Sequence, residues 1–142
     1  MNFLKIGLLA LLPALACMAC SKMNQNNKEF KADDMMIRMA EIEIDSAYFD
    51  EYIAILKEES AASVRLEPGV ICIYPMYQKE NPTEIRLLEI YASREAYESH
   101  LQTPHFKHYK TATLKMVKAL KLIDMEAIDE ETMPEIFKKL SQ

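Results

Sequence analysis

The sequence predicts an α+β domain with the ferredoxin-like order βαββαβ. Four segments either alternate apolar with polar side chains or are rich in β-branched and aromatic residues, and both patterns are typical of strands. Two further segments repeat apolar side chains at helical spacing. Proline, glycine and asparagine fall between several of these segments, where the chain must turn.

The first strand and the first helix are predicted at the start of the domain. Residues 36–44 form the strand, because acidic and isoleucine side chains alternate at its end. Asp45 or Ser46 is expected to cap the helix that follows, and Pro68 with Gly69 ends it.

The middle of the domain is predicted to be a β-hairpin. Residues 70–77 and 84–91 have the composition of strands, and the turn between them contains Asn81 and Pro82. Because the two strands follow each other directly, we expect them to pair.

The second helix is predicted in two pieces, followed by the last strand. Ser93 caps the first piece, and Thr103 caps the second, with Pro104 at its first position, where a missing N–H costs nothing. Val117 is predicted to lie on the apolar face of the second piece. Residues 120–128 are predicted as the strand.

Three appendages are predicted around this domain, which spans residues 36–128. Residues 1–20 combine a lysine with a short apolar run and small residues, which is typical of an export signal peptide. Residues 21–35 are polar and are predicted as a flexible tether. The tail, residues 129–142, is expected to contain a short helix around residues 134–140.

Two cysteines at the end of the export signal predict a lipid anchor. Cys17 and Cys20 each follow a small residue, as in a bacterial lipobox, and Cys20 is the predicted lipidation site because the polar tether follows it directly. Lipidation of Cys17 and a plain secreted protein are the alternatives. The protein is therefore expected to be exported to the cell envelope, lipid-anchored or periplasmic, with membrane contact only through the anchor.

Charge and strand composition restrict the partners of the domain. The formal net charge of −5, or −6 once Lys5 is removed with the signal peptide, argues against nucleic acid, whose affinity depends on phosphate neutralisation. The strands carry apolar side chains on both faces in places, notably at residues 70–74, whereas two helices cover only one face. A second copy of the sheet is the simplest further layer, so a homodimer is predicted.

All three histidines of the chain lie between His100 and His108, beside the junction of the third strand with the second helix. Histidine titrates near neutral pH and is the usual group for proton transfer. This window is therefore the first candidate for a functional site. The histidine spacings of five and three residues match no familiar metal motif, so no metal is expected.

Four segments carry a resemblance to a known family, namely residues 36–42, 67–70, 89–97 and 100–106. They resemble the antibiotic biosynthesis monooxygenase (ABM) superfamily. The resemblance implies a dimeric α+β barrel and, as in the quinol monooxygenases of that family, an activity without metal, flavin or other cofactor. Its haem-degrading members resemble one another in a tryptophan where this chain has His100, and the chain contains no tryptophan, so haem breakdown is not expected.

The resemblance also implies a chemistry. A deprotonated phenol or hydroquinone passes an electron to dioxygen itself, so the protein supplies a base, a donor to the developing oxyanion and a dry pocket. We predict His100 as the catalytic base and Glu89 as its orienting partner. Tyr74, Tyr91 and His105 are predicted to bind the substrate.

The predicted function is a cofactor-independent monooxygenase that oxidises a quinol-like or polyphenolic molecule, a small aromatic substrate, with dioxygen. Two alternatives stay open at the level of the sequence. One is a non-catalytic module that binds a small hydrophobic molecule, and the other is an isomerase of the same fold.

Overall fold

The computed structural model describes residues 32–129 and 131–140, and within them four strands form one antiparallel sheet. The elements, in chain order, are β1 (Met36–Ile44), α1 (Phe49–Leu66), β2 (Val70–Tyr77), β3 (Glu84–Tyr91), α2 (Arg94–His100), α3 (Pro104–Thr113), β4 (Val117–Met125) and α4 (Thr132–Leu140). The strand order across the sheet is β2-β3-β1-β4, the ferredoxin-like arrangement, so the predicted α+β fold class is confirmed.

Several predictions for the ends of the chain fall outside this region. The export signal predicted at residues 1–20, the predicted lipidation site Cys20 and residues 21–31 of the predicted tether lie outside the described residues. Among the residues that the structure describes, no helix combines the length and the apolar composition needed to cross a membrane. The helix predicted in the tail is present as α4 and begins at Thr132.

α1 is positioned by its start and by its buried side. The side chain of Asp45 accepts the N–H of Ala47 at 2.9 Å and caps a 3-10 turn that leads into the helix. Of the two predicted capping residues, Asp45 and Ser46, it is therefore Asp45 that caps this turn. Tyr52 and Leu56 are buried against the sheet, as the helical spacing of the apolar residues predicts.

Gly69 allows the turn after α1 to lie directly against the start of α2. A Cβ atom at this position would lie 2.6 Å from the Cβ of Ala96, closer than two such carbons approach. The carbonyl of Gly69 also accepts the N–H of Ala92 at 2.8 Å. The end of α1 is thus held close to α2.

α2 and α3 are capped as predicted. The Oγ of Ser93 accepts the N–H of Ala96, and the Oγ1 of Thr103 accepts the N–H of Phe106. Pro104 occupies the first position of α3. The turn between the helices is closed by Thr103, whose Oγ1 and N–H both donate to the carbonyl of His100.

The predicted position of the last strand is wrong by three residues, because β4 spans Val117–Met125 and not 120–128. α3 ends at Thr113, and the N–H of Met116 donates to the carbonyl of Thr113 at 2.8 Å. Val117 then pairs with the end of β1, so it begins the strand and does not belong to the helix. The four-residue spacing from Thr113 to Val117 fits a continued helix equally well, which explains the error.

The sheet has one face covered by helices and one face that no helix of the described region packs against extensively. The core beneath the helices includes Ala40, Ile42, Ile44, Tyr52, Leu56, Ile85, Leu87 and Tyr91. On the opposite face, Tyr74 is 60% exposed and Met125 is 47% exposed. The covered face is therefore where functional residues are expected.

Candidate active site

The covered face of the sheet and the helices border a cavity of about 240 Å³. Its wall from the sheet comprises Arg38, Ala40, Ile42, Ile73, Leu87, Glu89, Tyr91, Leu120 and Leu122. Its wall from the helices and the turn after α2 comprises Glu59, Tyr97, His100, Leu101, Phe106, Tyr109 and Lys110. A groove of about 210 Å³ between α1 and β2 is lined by apolar side chains, Tyr77 and Lys57, without a histidine or a carboxylate. The cavity is therefore the better candidate for chemistry.

His100 is the last residue of α2 and lies at the wall of this cavity with 2% exposure. Its ring centroid lies 4.7 Å from that of Phe106 and 5.5 Å from that of Tyr91. These two aromatic rings hold the imidazole in place. The prediction that His100 reaches a pocket agrees with this placement, while its role as a base stays a prediction.

Glu67, which the sequence did not single out as a functional residue, is the partner of His100. Its Oε1 lies 3.0 Å from His100 Nδ1 and 2.5 Å from His105 Nε2. Both contacts are satisfied when each histidine donates an N–H to the carboxylate. Burial alone would raise the pKa of Glu67, but the hydrogen bonds from His105 and His100 hold that pKa below its ordinary value.

A second carboxylate lies on the other side of the His100 ring. Glu59 is 5% exposed, and its Oε1 lies 3.7 Å from His100 Nε2 and 2.9 Å from the donating Oγ of Ser63. Burial raises the pKa of Glu59 above its ordinary value, although the hydrogen bond from Ser63 and the charge of His100 oppose that shift. The four side chains follow one another from the cavity outwards, in the order Glu59, His100, Glu67 and His105.

Glu89 lines the same cavity but does not orient His100, so that prediction is corrected. The nitrogen atoms of His100 face Glu67 and Glu59 instead. Glu89 lies across from Arg38 in the pairing of β1 with β3. Burial raises the pKa of Glu89 to about 7, although the nearby positive charge of Arg38 lowers it.

Arg38 places a positive charge at the cavity wall. Its Nε and Nη2 donate to Asp124 Oδ1 at 2.9 and 2.8 Å, and its guanidinium lies 4.7 Å from the ring centroid of Tyr97. The residue is 8% exposed. A buried cation beside the apolar cavity can stabilise negative charge on a ligand.

The three predicted substrate-binding residues have different positions. Tyr91 is 1% exposed and lines the cavity, as its prediction requires. His105 engages Glu67 and is absent from the residues that line the cavity. Tyr74 is wrongly predicted, because it pairs with Leu88 on the opposite face of the sheet.

The sequence does carry a signal for one of the missed residues. Glu59 occupies the apolar side of α1, three residues after Leu56 and four before Ser63, where a carboxylate needs a partner. Glu67 begins a segment that carries the family resemblance, but no local pattern connects it to the histidines, because its two partners lie 33 and 38 residues further along the chain. In the described region, Glu67, His100 and His105 also bring their ligand atoms within 4.8 Å of one another.

The comparisons with known proteins agree with this fold. A family model described as antibiotic biosynthesis monooxygenase matches residues 35–112. The chain is similar to a solved structure from Bacteroides thetaiotaomicron, provisionally described as an antibiotic biosynthesis monooxygenase, with 48% identity and a TM-score of 0.69 over 70% of this chain and 94% of that chain. A comparison with curated proteins finds no match.

Two further structures are similar over the same domain. One, from Lactobacillus acidophilus, is provisionally described as a monooxygenase and shares 32% identity with a TM-score of 0.64, over 65% of this chain and 44% of that chain. The other, from Caulobacter crescentus, is provisionally described as an antibiotic biosynthesis monooxygenase. Its identity is 24% and its TM-score 0.63, over 72% of this chain and 96% of that chain, so it supports the fold alone.

Proposed function

Because the chain belongs to the antibiotic biosynthesis monooxygenase family, we propose that it is a cofactor-independent monooxygenase of quinol-like or polyphenolic molecules. The observation that carries this proposal is the buried imidazole of His100, which stands between Glu59 and Glu67 at the wall of a cavity with many apolar side chains. An imidazole held in one orientation is suited to proton transfer near neutral pH.

The proposed base is the Nε2 atom of His100. When Nδ1–H donates to Glu67, the lone pair of the neutral ring lies on Nε2. A phenolic hydroxyl in the cavity can donate its proton to that lone pair. The carboxylate of Glu67 then stabilises the imidazolium that forms, as a neighbouring negative charge does.

The cavity suits a small aromatic substrate. A cavity of about 150 Å³ is enough to hold benzene, so a volume of about 240 Å³ leaves room for a larger substituted ring. Ala40, Ile42 and Leu87 provide apolar walls, while Leu120 and Leu122 are half-exposed and form its mouth. Apolar walls strengthen every charge interaction inside the cavity.

Arg38 is proposed to stabilise the phenolate that proton transfer creates. Deprotonation makes the ring electron-rich enough to pass an electron to dioxygen, and the guanidinium lies at the wall where negative charge develops. One oxygen atom then enters the ring and the other leaves as water. The substrate supplies all the electrons, so a hydroquinone and dioxygen give a hydroxyquinone and water.

Oxygen uptake with a panel of hydroquinones tests the proposal. We expect His100→Ala to lower the rate by about 10² to 10⁴-fold, the usual contribution of a general base. Glu67→Gln should cause a smaller loss, because the ring keeps its place but loses a charged partner. Labelled dioxygen should leave one oxygen atom in the product, which separates a monooxygenase from a simple oxidase.

His108→Ala provides the matched control, because this histidine is exposed on the same helix as His105. Its uptake rate should equal that of the wild type. An unchanged rate of oxygen uptake in His100→Ala would show that His100 is not the base. Saturable binding of hydroquinones without any turnover would instead favour a non-catalytic binding module.

An isomerase is the second candidate, and the position of Glu89 favours it. Burial raises the pKa of Glu89 to about 7. Glu89 and His100 are therefore two proton-transfer groups at the wall of one cavity. Such a pair can remove a proton from one carbon of a ligand and return it to another. Hydrogen–deuterium exchange next to a carbonyl group, without oxygen uptake, would identify this activity.

A further inference from the structure

Glu67, His100 and His105 together have the composition of a metal site. Their ligand atoms lie within 4.8 Å of one another, with 3.0 Å between His100 Nδ1 and Glu67 Oε1. Two zinc–ligand bonds of about 2.1 Å at a tetrahedral angle place the ligand atoms about 3.4 Å apart. The distance between His100 Nδ1 and Glu67 Oε1 is therefore close to what one ion requires, whereas His105 Nε2 and Glu67 Oε1, 2.5 Å apart, must separate by about 0.9 Å. Two histidines and a glutamate are a known three-ligand set for Zn²⁺.

The backbone holds these ligands in position. His100 ends α2 and His105 lies in the first turn of α3, and the turn between the helices is closed by Thr103. Glu67 follows α1 directly and precedes Pro68, whose ring fixes the local backbone. Small side-chain movements are then enough to admit an ion. Access is open from outside, because the side chains of His105 and Glu67 are 19% and 12% exposed.

The position of Glu59 is an independent indication of a metal site. Histidines that bind a metal through one nitrogen usually donate the other N–H to a carboxylate or a carbonyl. Glu59 Oε1 lies 3.7 Å from His100 Nε2, on the side of the ring away from Glu67. We propose that Glu67, His100 and His105 form a Zn²⁺ site in which Glu59 positions His100 from behind.

Zinc binding and proton transfer require different tautomers of the His100 imidazole. Zinc binding uses the Nδ1 lone pair and leaves the proton on Nε2, which points to Glu59. The base requires the lone pair on Nε2. Zinc should therefore inhibit the oxygenase reversibly. This consequence rests on the proposed function, whereas the site itself does not.

Titration calorimetry of the metal-free full chain with Zn²⁺ tests the site. All samples carry Cys17→Ser and Cys20→Ser, because those two thiols could bind zinc independently. We expect one Zn²⁺ per chain, and we expect His105→Ala and Glu67→Gln each to raise Kd at least tenfold. Glu59→Gln should raise Kd by about 10 to 100-fold, the usual effect of losing a supporting carboxylate.

The matched control is His108→Ala, whose Kd should stay within about twofold of the reference, as expected for a residue outside the cluster. Circular dichroism confirms that each variant is folded. No saturable binding in the reference protein, or an unchanged Kd in His105→Ala, would overturn the site. Binding with the expected variant effects supports it whether or not any hydroquinone is oxidised. Oxygen uptake that persists at saturating zinc would overturn only the predicted inhibition.

Discussion

At the scale of single residues, Glu89 is a carboxyl group that folding makes harder to ionise. Burial raises its pKa to about 7, from an ordinary value near 4.5. Between these two pH values the folded chain binds more protons at Glu89 than the unfolded chain does. The contribution of Glu89 to the free energy of unfolding must therefore fall as the pH rises through that window.

Glu89→Gln should remove this pH dependence. The side chain of glutamine resembles protonated glutamate, so at about pH 4, below both pKa values, the variant and the wild type should differ little in stability. At pH 8 the variant should be more stable by on the order of 3 kcal/mol, because burial raises the pKa of Glu89 from 4.5 to about 7. Urea unfolding at the two pH values measures the difference. Glu43→Gln, at an exposed position of β1, is the matched control for the substitution itself.

Single residues also show what the sequence could and could not predict. His100 is predicted from its residue type, and Tyr91 within the chemistry that the family resemblance implies, and both line the cavity. Glu67 was missed as a partner because 33 residues separate it from His100, and only the packed fold brings the two together. Local patterns therefore identify the histidine at the cavity wall, whereas its hydrogen-bonding partner depends on tertiary structure.

At the scale of elements, one extra residue in β2 explains the wrong prediction for Tyr74. Val70 pairs with Tyr91, but the next paired residue is Cys72, which faces Ile90, so the register shifts by one residue. Without this bulge, regular alternation would place Tyr74 on the face that carries the cavity. No glycine or proline inside the first half of β2 marks the bulge, so the sequence gives no warning of it.

The contact of Gly69 with α2 should appear as an energetic coupling. A methyl group at Gly69 would collide with Ala96, so Gly69→Ala should destabilise the fold by about 1–3 kcal/mol, as overpacking does. Combining it with Ala96→Gly makes space for the new methyl group. The free energy of unfolding of the double variant should therefore fall by less than the sum of the decreases in the two single variants.

A double-mutant cycle measured by urea unfolding checks this coupling. The interaction between the two positions should be at least about 1 kcal/mol, beyond the few tenths expected of independent sites. Ala96→Gly alone accounts for the intrinsic cost of glycine in a helix, roughly 1 kcal/mol. Strict additivity of the two losses would show that the turn after α1 can move away from α2 freely.

At the scale of the whole molecule, the uncovered face of the sheet carries two complete apolar rows. The register aligns Tyr74, Leu88, Met39 and Ile123 in one row and Cys72, Ile90, Ile37 and Met125 in the next, one residue from each strand. The row beyond them contains Arg86, Glu41 and Lys121, which are charged. An apolar surface with a charged border is typical of a protein interface.

We propose that these two rows pack against the same rows of a second copy, giving a homodimer. Because a two-fold axis applies every substitution twice, Met39→Glu on the central strand β1 would place two carboxylates in one apolar interface. Sedimentation should show a dimer for the wild type and a monomer for Met39→Glu, with far-UV circular dichroism unchanged. Lys57→Glu, exposed on α1 behind the sheet, should remain dimeric.

The outcome of this experiment also bears on the cavity. Arg38 lies next to Met39 on β1 and faces the opposite side of the strand, so the apolar row and the cavity wall share one backbone. A second sheet packed on the row would restrict the movement of that backbone and keep Arg38 in place. The folded monomeric variant should therefore bind hydroquinones more weakly than the dimer, as isothermal titration can measure. Equal affinity in the two forms would show that each chain builds its site alone, and a wild type that sediments as a monomer would contradict the interface.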